Sequence, residues 1–270
     1  MAIVGSITKA VILARGLGKR MREGDSSATI DTAQAAAADS GVKAMVPVGR
    51  PFLDYVLSAL ADAGFAQACL VIGPEHTAVR EYYARLRLSR IEVSFAVQPE
   101  PLGTANAVLA AEGFTGLDEF LVINSDNYYP TDALQTVQQL GRPGAVLFEA
   151  ASLVRRSNIP PDRIRAFASC VVGADGFLAD IVEKPSADQF DNAKLVSMNC
   201  WRFGPCIFSA CRDVPLSLRN EYELPLAVKL AIQQGLRIRT AISRAGVLDL
   251  SRRSDIAAVT EHLKDVQVVL

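Results

Sequence analysis

Short apolar runs alternate with helical stripes along almost the whole chain. Val11-Ile12-Leu13, Cys69-Leu70-Val71-Ile72 and Phe120-Leu121-Val122-Ile123 are apolar without a break, the pattern of strands that a parallel sheet buries on both faces. Between the first two, Leu53, Val56, Leu57 and Leu60 recur at helical spacing within residues 52–63. Residues 76–88 read as a second, weakly amphipathic helix, and 91–97 alternate as a strand does. An alanine-rich helix opens near Thr104, and 131–140 predict another before a strand at 145–151. In the second half, residues 164–172 and 177–182 flank Gly173-Ala174-Asp175-Gly176 and predict an antiparallel hairpin. Strands are expected at 196–204 and 236–242 and in a short run ending at Asp249, with a helix ending at Asp213 and another from about Glu221 to Gln234. Val259 and Leu263 mark a final helix with Asp255 as its cap, and 266–270 a closing strand. The alternation predicts an α/β fold with a mostly parallel central sheet flanked by helices and a small antiparallel elaboration near 164–204.

Residues 22–42 interrupt this rhythm. They lack a core pattern, although Asp31 or Thr32 could cap a short helix over the alanine run and Gly41 could end it. A stretch of this length is either a functional lid or a disordered segment.

Half of the 270 residues are apolar, enough for a sizeable core, and a single domain over 1–270 is the expectation. The net charge of −1 gives no global basic field, so neither nucleic acid nor a membrane surface is an expected partner. Five cysteines without a C-x-x-C pair read as reduced thiols, and no apolar run reaches the length of a membrane span. Cytoplasm is the default compartment, and a homo-oligomer is compatible with the sequence. Two histidines leave little material for a histidine-rich zinc site or a Ser-His-Asp triad.

The chemistry concentrates at the ends of the apolar runs. After Leu13 and Ala14, Gly16 and Gly18 let the backbone turn so that N–H groups can approach an anion, with Arg15, Lys19, Arg20 and Arg22 as opposing charges. An ordinary turn with a solvated basic edge is the alternative. Lys43 stands in Lys43-Ala44-Met45-Val46-Pro47, and Gln98 and Gly103 precede a helix start at Thr104. Asp126 follows a strand, where an open α/β sheet holds its ligands, and one aspartate there suits magnesium. A turn aspartate is the rival reading. Trp201 either walls a pocket or fills the core.

Leu13-Ala14-x-Gly16-x-Gly18-x-Arg20-Met21 resembles the signature of the NDP-sugar pyrophosphorylases, the sugar-1-phosphate nucleotidyltransferases. Arg15 and Lys19 depart from it. The segments around Lys43, Gln98-Pro99-Glu100-Pro101-Leu102-Gly103-Thr104-Ala105, Asp126, Val182-Glu183-Lys184-Pro185, Asn199 and Asp249 follow in that family's order. The resemblance implies a Rossmann-like nucleotidyltransferase fold, with a nucleotide-binding part over about 1–150 and a sugar-phosphate part over about 151–270. It implies NTP and a sugar phosphate as substrates and Mg2+ as cofactor. Arg20, Lys43 and Asp126 would be catalytic. Leu13, Ala14, Gly16, Gly18, Gln98, Gly103 and Thr104 would hold the nucleotide, with Gln98 on a base edge. Glu183 would accept from sugar hydroxyls, Lys184 would reach the sugar phosphate beside Asn199, and Asp126 and Asp249 would share the metal. Two rival functions remain open, a noncatalytic nucleotide-sugar sensor and a transferase acting on a cyclitol or alcohol phosphate.

Overall fold

The structure is a computed structural model that describes residues 6–25, 28–141 and 143–270. Its strands are β1 (Lys9–Leu13), β2 (Gln67–Ile72), β3 (Glu92–Val97), β4 (Phe120–Asn124), β5 (Asn127–Tyr128), β6 (Gly144–Glu149), β7 (Ser169–Val172), β8 (Leu178–Val182), β9 (Leu195–Phe203), β10 (Arg239–Ser243) and β11 (Leu248–Asp249). The main sheet runs β10-β6-β9-β4-β1-β2-β3, with β7 and β8 continuing from β9. β1 pairs in parallel with β2 and β4, β2 with β3, and β6 with β10.

The unbroken apolar runs are explained by burial on both faces. Along β1, Ala10 and Ile12 join a core that includes Leu53, Leu70 and Ile123, whereas Val11 and Leu13 join Val71, Val122 and Trp201 on the other side. Helix Phe52–Asp62 is buried along nearly its whole length. It carries Asp54, fully buried, which accepts from Tyr82 Oη at 2.7 Å, Tyr83 Oη at 2.9 Å and Arg50 Nε at 3.0 Å. These bonds tie it to helix Thr77–Arg85. Cys69, Cys170, Cys200 and Cys211 are buried free thiols. Burial pushes the Cys69 thiol up to about 11, so it behaves as an apolar filler.

Four expectations change. Residues 161–164 form a helical turn opened by two prolines, and the hairpin strand begins only at Ser169. β9 is no part of a peripheral elaboration: it runs antiparallel between β4 and β6 at the centre of the sheet. Residues 266–270 form no strand. Val266, Val268 and Leu270 pack against the core, and Val269 N donates to Ser58 Oγ at 3.1 Å. Asp255 is the first residue of helix Asp255–Leu263, whose cap position is Ser254, although Asp255 Oδ2 accepts from the N–H groups of Ser251 at 2.9 Å and Arg252 at 2.8 Å.

Residues 28–42 are docked on the rest of the fold. Asp31 and Gln34 form a reciprocal capping box for helix Thr32–Ser40, and Gly41 ends it in the left-handed conformation. Arg22 Nη2 donates to Ser40 O at 2.7 Å, Arg253 pairs with Asp39, and Gln34 Nε2 donates to Pro47 O at 3.0 Å.

Replacing Asp54 with alanine strands the buried Tyr83 hydroxyl, the half-buried Tyr82 hydroxyl and a guanidinium, so Asp54→Ala should lose about 2–4 kcal/mol of stability. Urea denaturation measures it, and a loss below about 0.5 kcal/mol would contradict the role assigned to these bonds.

Candidate active site

At the carboxyl end of β1 the chain leaves the sheet through Ala14 and turns at Gly18, whose φ of 61° opens helix Lys19–Arg22. A Cβ at Gly18 would lie 2.2 Å from Gly41 O, so glycine is what lets this loop rest on the end of helix Thr32–Ser40. Gly16 has open space where its side chain would be. Among the described residues no acceptor meets the backbone N–H groups of Gly16, Leu17 or Gly18, which leaves them for an anion.

The four basic residues of the loop divide. Lys19 and Arg20 are exposed, line a cleft of about 400 Å³ and have no ion pair among the described residues. Arg15 also lines the cleft but is buried, with Nε donating to Gln98 O at 3.1 Å and Nη1 lying 2.7 Å from Glu75. Arg22 is spent on Ser40 O. The expected four opposing charges are therefore two.

Opposite the loop, Lys43 starts a 3-10 turn, and its Nζ lies 2.8 Å from Asp126 Oδ2 just beyond β4. Asp126 reaches Asp249 through β5 and β11, an antiparallel pair that sets Asn127 opposite Asp249. The expected parallel strands do not bring them together. Asp249 is nearly buried and pairs with Arg163, which also holds Asp255 at 2.8 Å. Burial, then the charge of Asp126, raises the Asp249 carboxyl above its ordinary range, against the pull of Arg163.

Gln98 is buried in the wall of the large cleft, its Nε2 donating to Gly103 O at 3.0 Å and Asn106 Oδ1 at 2.8 Å. The missing side chain of Gly103 admits protein: a Cβ there would meet Tyr222 O at 2.6 Å. Thr104 Oγ1 accepts from Leu224 N at 2.8 Å and so secures the start of helix Leu224–Gln233.

A second cavity of about 180 Å³ adjoins the first, and Arg20, Asn124, Asp126 and Asn199 line both. Asn199 reaches it through a bulge. The register of β9 on β6 slips between Cys200 and Ser197, Asn199 takes a φ of 55°, and Tyr129 Oη holds Met198 O at 2.5 Å. Glu183 lines the same cavity, whereas Lys184, at a φ of 48° and exposed, lines neither. Burial first, then the nearby Glu223, raises the Glu183 carboxyl to about 7. Its only cation within 4 Å among the described residues, Arg219 at 3.7 Å, is committed to Glu223 by a bond of 2.6 Å.

Sequence reasoning missed Arg163, Arg219 and Glu221, the last two lining the large cleft. Arg163 and Arg219 stand outside the motifs and carry no local signal, and only the folded chain groups Arg219 with Glu221.

Orphan amides and free cations facing carboxylates across a cleft suit a polyphosphate with its counter-cation, so fold and site define an enzyme that handles nucleotide phosphates. Residues 9–245 match the model of the nucleotidyl transferase family, and the chain belongs to that family. A UTP–glucose-1-phosphate uridylyltransferase, AglF, of Haloferax volcanii is 26% identical over 95% of this chain and 97% of its own length. A glucose-1-phosphate thymidylyltransferase of Streptomyces griseus is also 26% identical, over 93% of this chain, which spans only 64% of that protein. In fold, the chain resembles UDP-glucose pyrophosphorylase solved with UDP-glucose, at a TM-score of 0.75 and 17% identity over 97% of this chain and 100% of that one. The inositol-1-phosphate CTP transferase of T. maritima follows at 0.72 and 17%, over 98% and 99% of the two chains. No described helix is long and apolar enough to cross a membrane.

Arg20→Ala and Lys43→Ala should each weaken NTP binding about tenfold or more by calorimetry, with Tm little changed for Arg20, which is exposed. Wild-type affinity in both variants would remove these residues from the phosphate site.

For Glu183 the folded carboxyl titrates near 7, above the ordinary 4.5. The folded state therefore binds the extra proton between these values. The stabilisation is complete below pH 4.5 and is lost as pH rises through about 7. Glu183→Gln should flatten that part of the stability profile. A slope identical to wild type would show that another group is responsible.

Proposed function

We propose that the protein transfers a nucleotidyl group from an NTP to a sugar 1-phosphate, giving an NDP-sugar and pyrophosphate. The observation that carries this reading is the meeting of the two cavities at Arg20, Asn124, Asp126 and Asn199. A nucleotide in the larger and a sugar phosphate in the smaller would bring their phosphates together there. Both cavities draw on residues before and after 150, so the nucleotide and sugar-phosphate parts interlock within one proposed domain over 1–270.

The loop N–H groups, Arg20 and Lys43 would hold the triphosphate, with Lys43 exchanging Asp126 for phosphate oxygens. A sugar-phosphate oxygen attacks the α-phosphorus, forming one P–O bond as the bond to pyrophosphate breaks in line. No protein nucleophile is needed. Positioning and charge stabilisation carry the reaction, and the cations receive the charge of the leaving pyrophosphate. Glu183, when ionised, would accept from sugar hydroxyls, so sugar-phosphate binding tightens as pH rises towards 7. Lys184, which lines neither cavity, would have to turn inwards to reach the sugar phosphate, and Gln98 would meet the base.

Asp126 and Asp249 suit Mg2+. Asp126 Oδ1 has no bonding partner among the described residues, and the charge of Asp126 already bears on Asp249. The described residues contain no group of three or more possible ligands, so a bound ion would have to complete its shell with phosphate and water. Bound there, magnesium supplies charge neutralisation to the phosphates.

Pyrophosphate release over a grid of NTPs against sugar, cyclitol and alcohol phosphates tests the reading. Release should require both substrates and a divalent cation, and Asp126→Asn should lower turnover at least about a hundredfold in the folded variant. Nucleotide-sugar binding without release anywhere in the grid would make the chain a sensor, and release with polyol phosphates alone would move the acceptor class.

A further inference from the structure

Three asparagines line the smaller cavity in a hydrogen-bonded series. Trp201 Nε1 donates to Asn199 Oδ1 at 3.0 Å, and Asn199 Nδ2 to Asn124 Oδ1 at 3.2 Å. Asn124 Nδ2 then donates to Asn127 Oδ1 at 3.0 Å, and Asn127 Nδ2 to Asp249 Oδ2 at 3.1 Å. The two ends have a single polarity: an indole N–H only donates, and a carboxylate ion-paired with Arg163 only accepts. Every amide between them must therefore turn its oxygen towards Trp201 and its nitrogen towards Asp249. Reversing any one sets like against like at both of its contacts.

Each of the three nitrogens carries a second hydrogen that the series leaves over, and all three residues line the cavity. We infer that Trp201 and Asn127 are positioning residues of a polarised relay, which fixes a row of three amide donors for the oxygens of the sugar phosphate and ties that row to Asp249. This rests on the proposed sugar-phosphate reading of the cavity. The bulge supports the relay mechanically, because Tyr129 Oη holds Met198 O and also accepts from Asn124 N at 3.4 Å. Trp201 itself is fully buried and stacks on Phe203 at 5.6 Å; phenylalanine keeps an aromatic ring in that stack while removing the donor and the rest of the indole.

The chain has one tryptophan, hence one indole N–H resonance in a 15N correlation spectrum. Asn127→Ser, three bonds away along the relay, should shift that resonance and raise KM for the sugar phosphate about five- to tenfold, with KM for the NTP within about twofold. Trp201→Phe should raise the same KM by a similar factor, and the double variant should be little worse than either single one. An unmoved indole resonance in Asn127→Ser, or KM effects that multiply in the double variant, would overturn the relay. Should Asn127→Ser fail to fold, an unchanged sugar-phosphate KM in Trp201→Phe would overturn it alone. A wild-type protein inactive with every sugar phosphate would instead defeat the proposed function, and the resonance shift would still test the relay.

Discussion

The Lys43–Asp126 ion pair joins two parts of the chain at the cleft. Lys43 belongs to the segment after the docked insert, and Asp126 to the rim of β4. Both side chains are mostly buried, so each charge depends on the other until a ligand arrives. A polyphosphate and its cation offer the same two charges in exchange, anion to Lys43 and cation to Asp126. The pair thus holds the cleft in a shape that its substrate can take over without leaving a bare charge.

The rest of the fold positions this pair. Parallel pairing of β1 with β2 and β4 brings the glycine loop and Asp126 to the same rim. The insert braces the loop from outside through the Gly18–Gly41 contact, while Arg163 braces Asp249 from below. The central antiparallel β9 delivers Asn199 to the rim through its bulge, which a parallel strand running the other way would not do.

Much of this was legible in the sequence because β1, β2 and β4 each carry an unbroken apolar run, and such runs have few alternatives to a doubly covered sheet. The order of motifs at their ends placed Arg20, Lys43, Asp126, Glu183, Asn199 and Asp249 around adjoining cavities. What stayed hidden depends on distant partners. Arg15 and Arg22 look as free as Arg20 until Gln98 O and Ser40 O occupy them. The sequence of β9 says nothing of its neighbours, and the Asn199 bulge has no local mark because asparagine tolerates the left-handed region without glycine. Gly103 was legible as a constraint but not in its cause, which is the backbone of Tyr222.

The most direct test is the anomalous diffraction of Mn2+ in crystals grown with a non-hydrolysable NTP. The account predicts a manganese peak bonded to Asp126 and beside Asp249, with Lys43 Nζ moved from Asp126 onto a phosphate oxygen. A nucleotide bound with the Lys43–Asp126 contact intact, and manganese elsewhere, would contradict it.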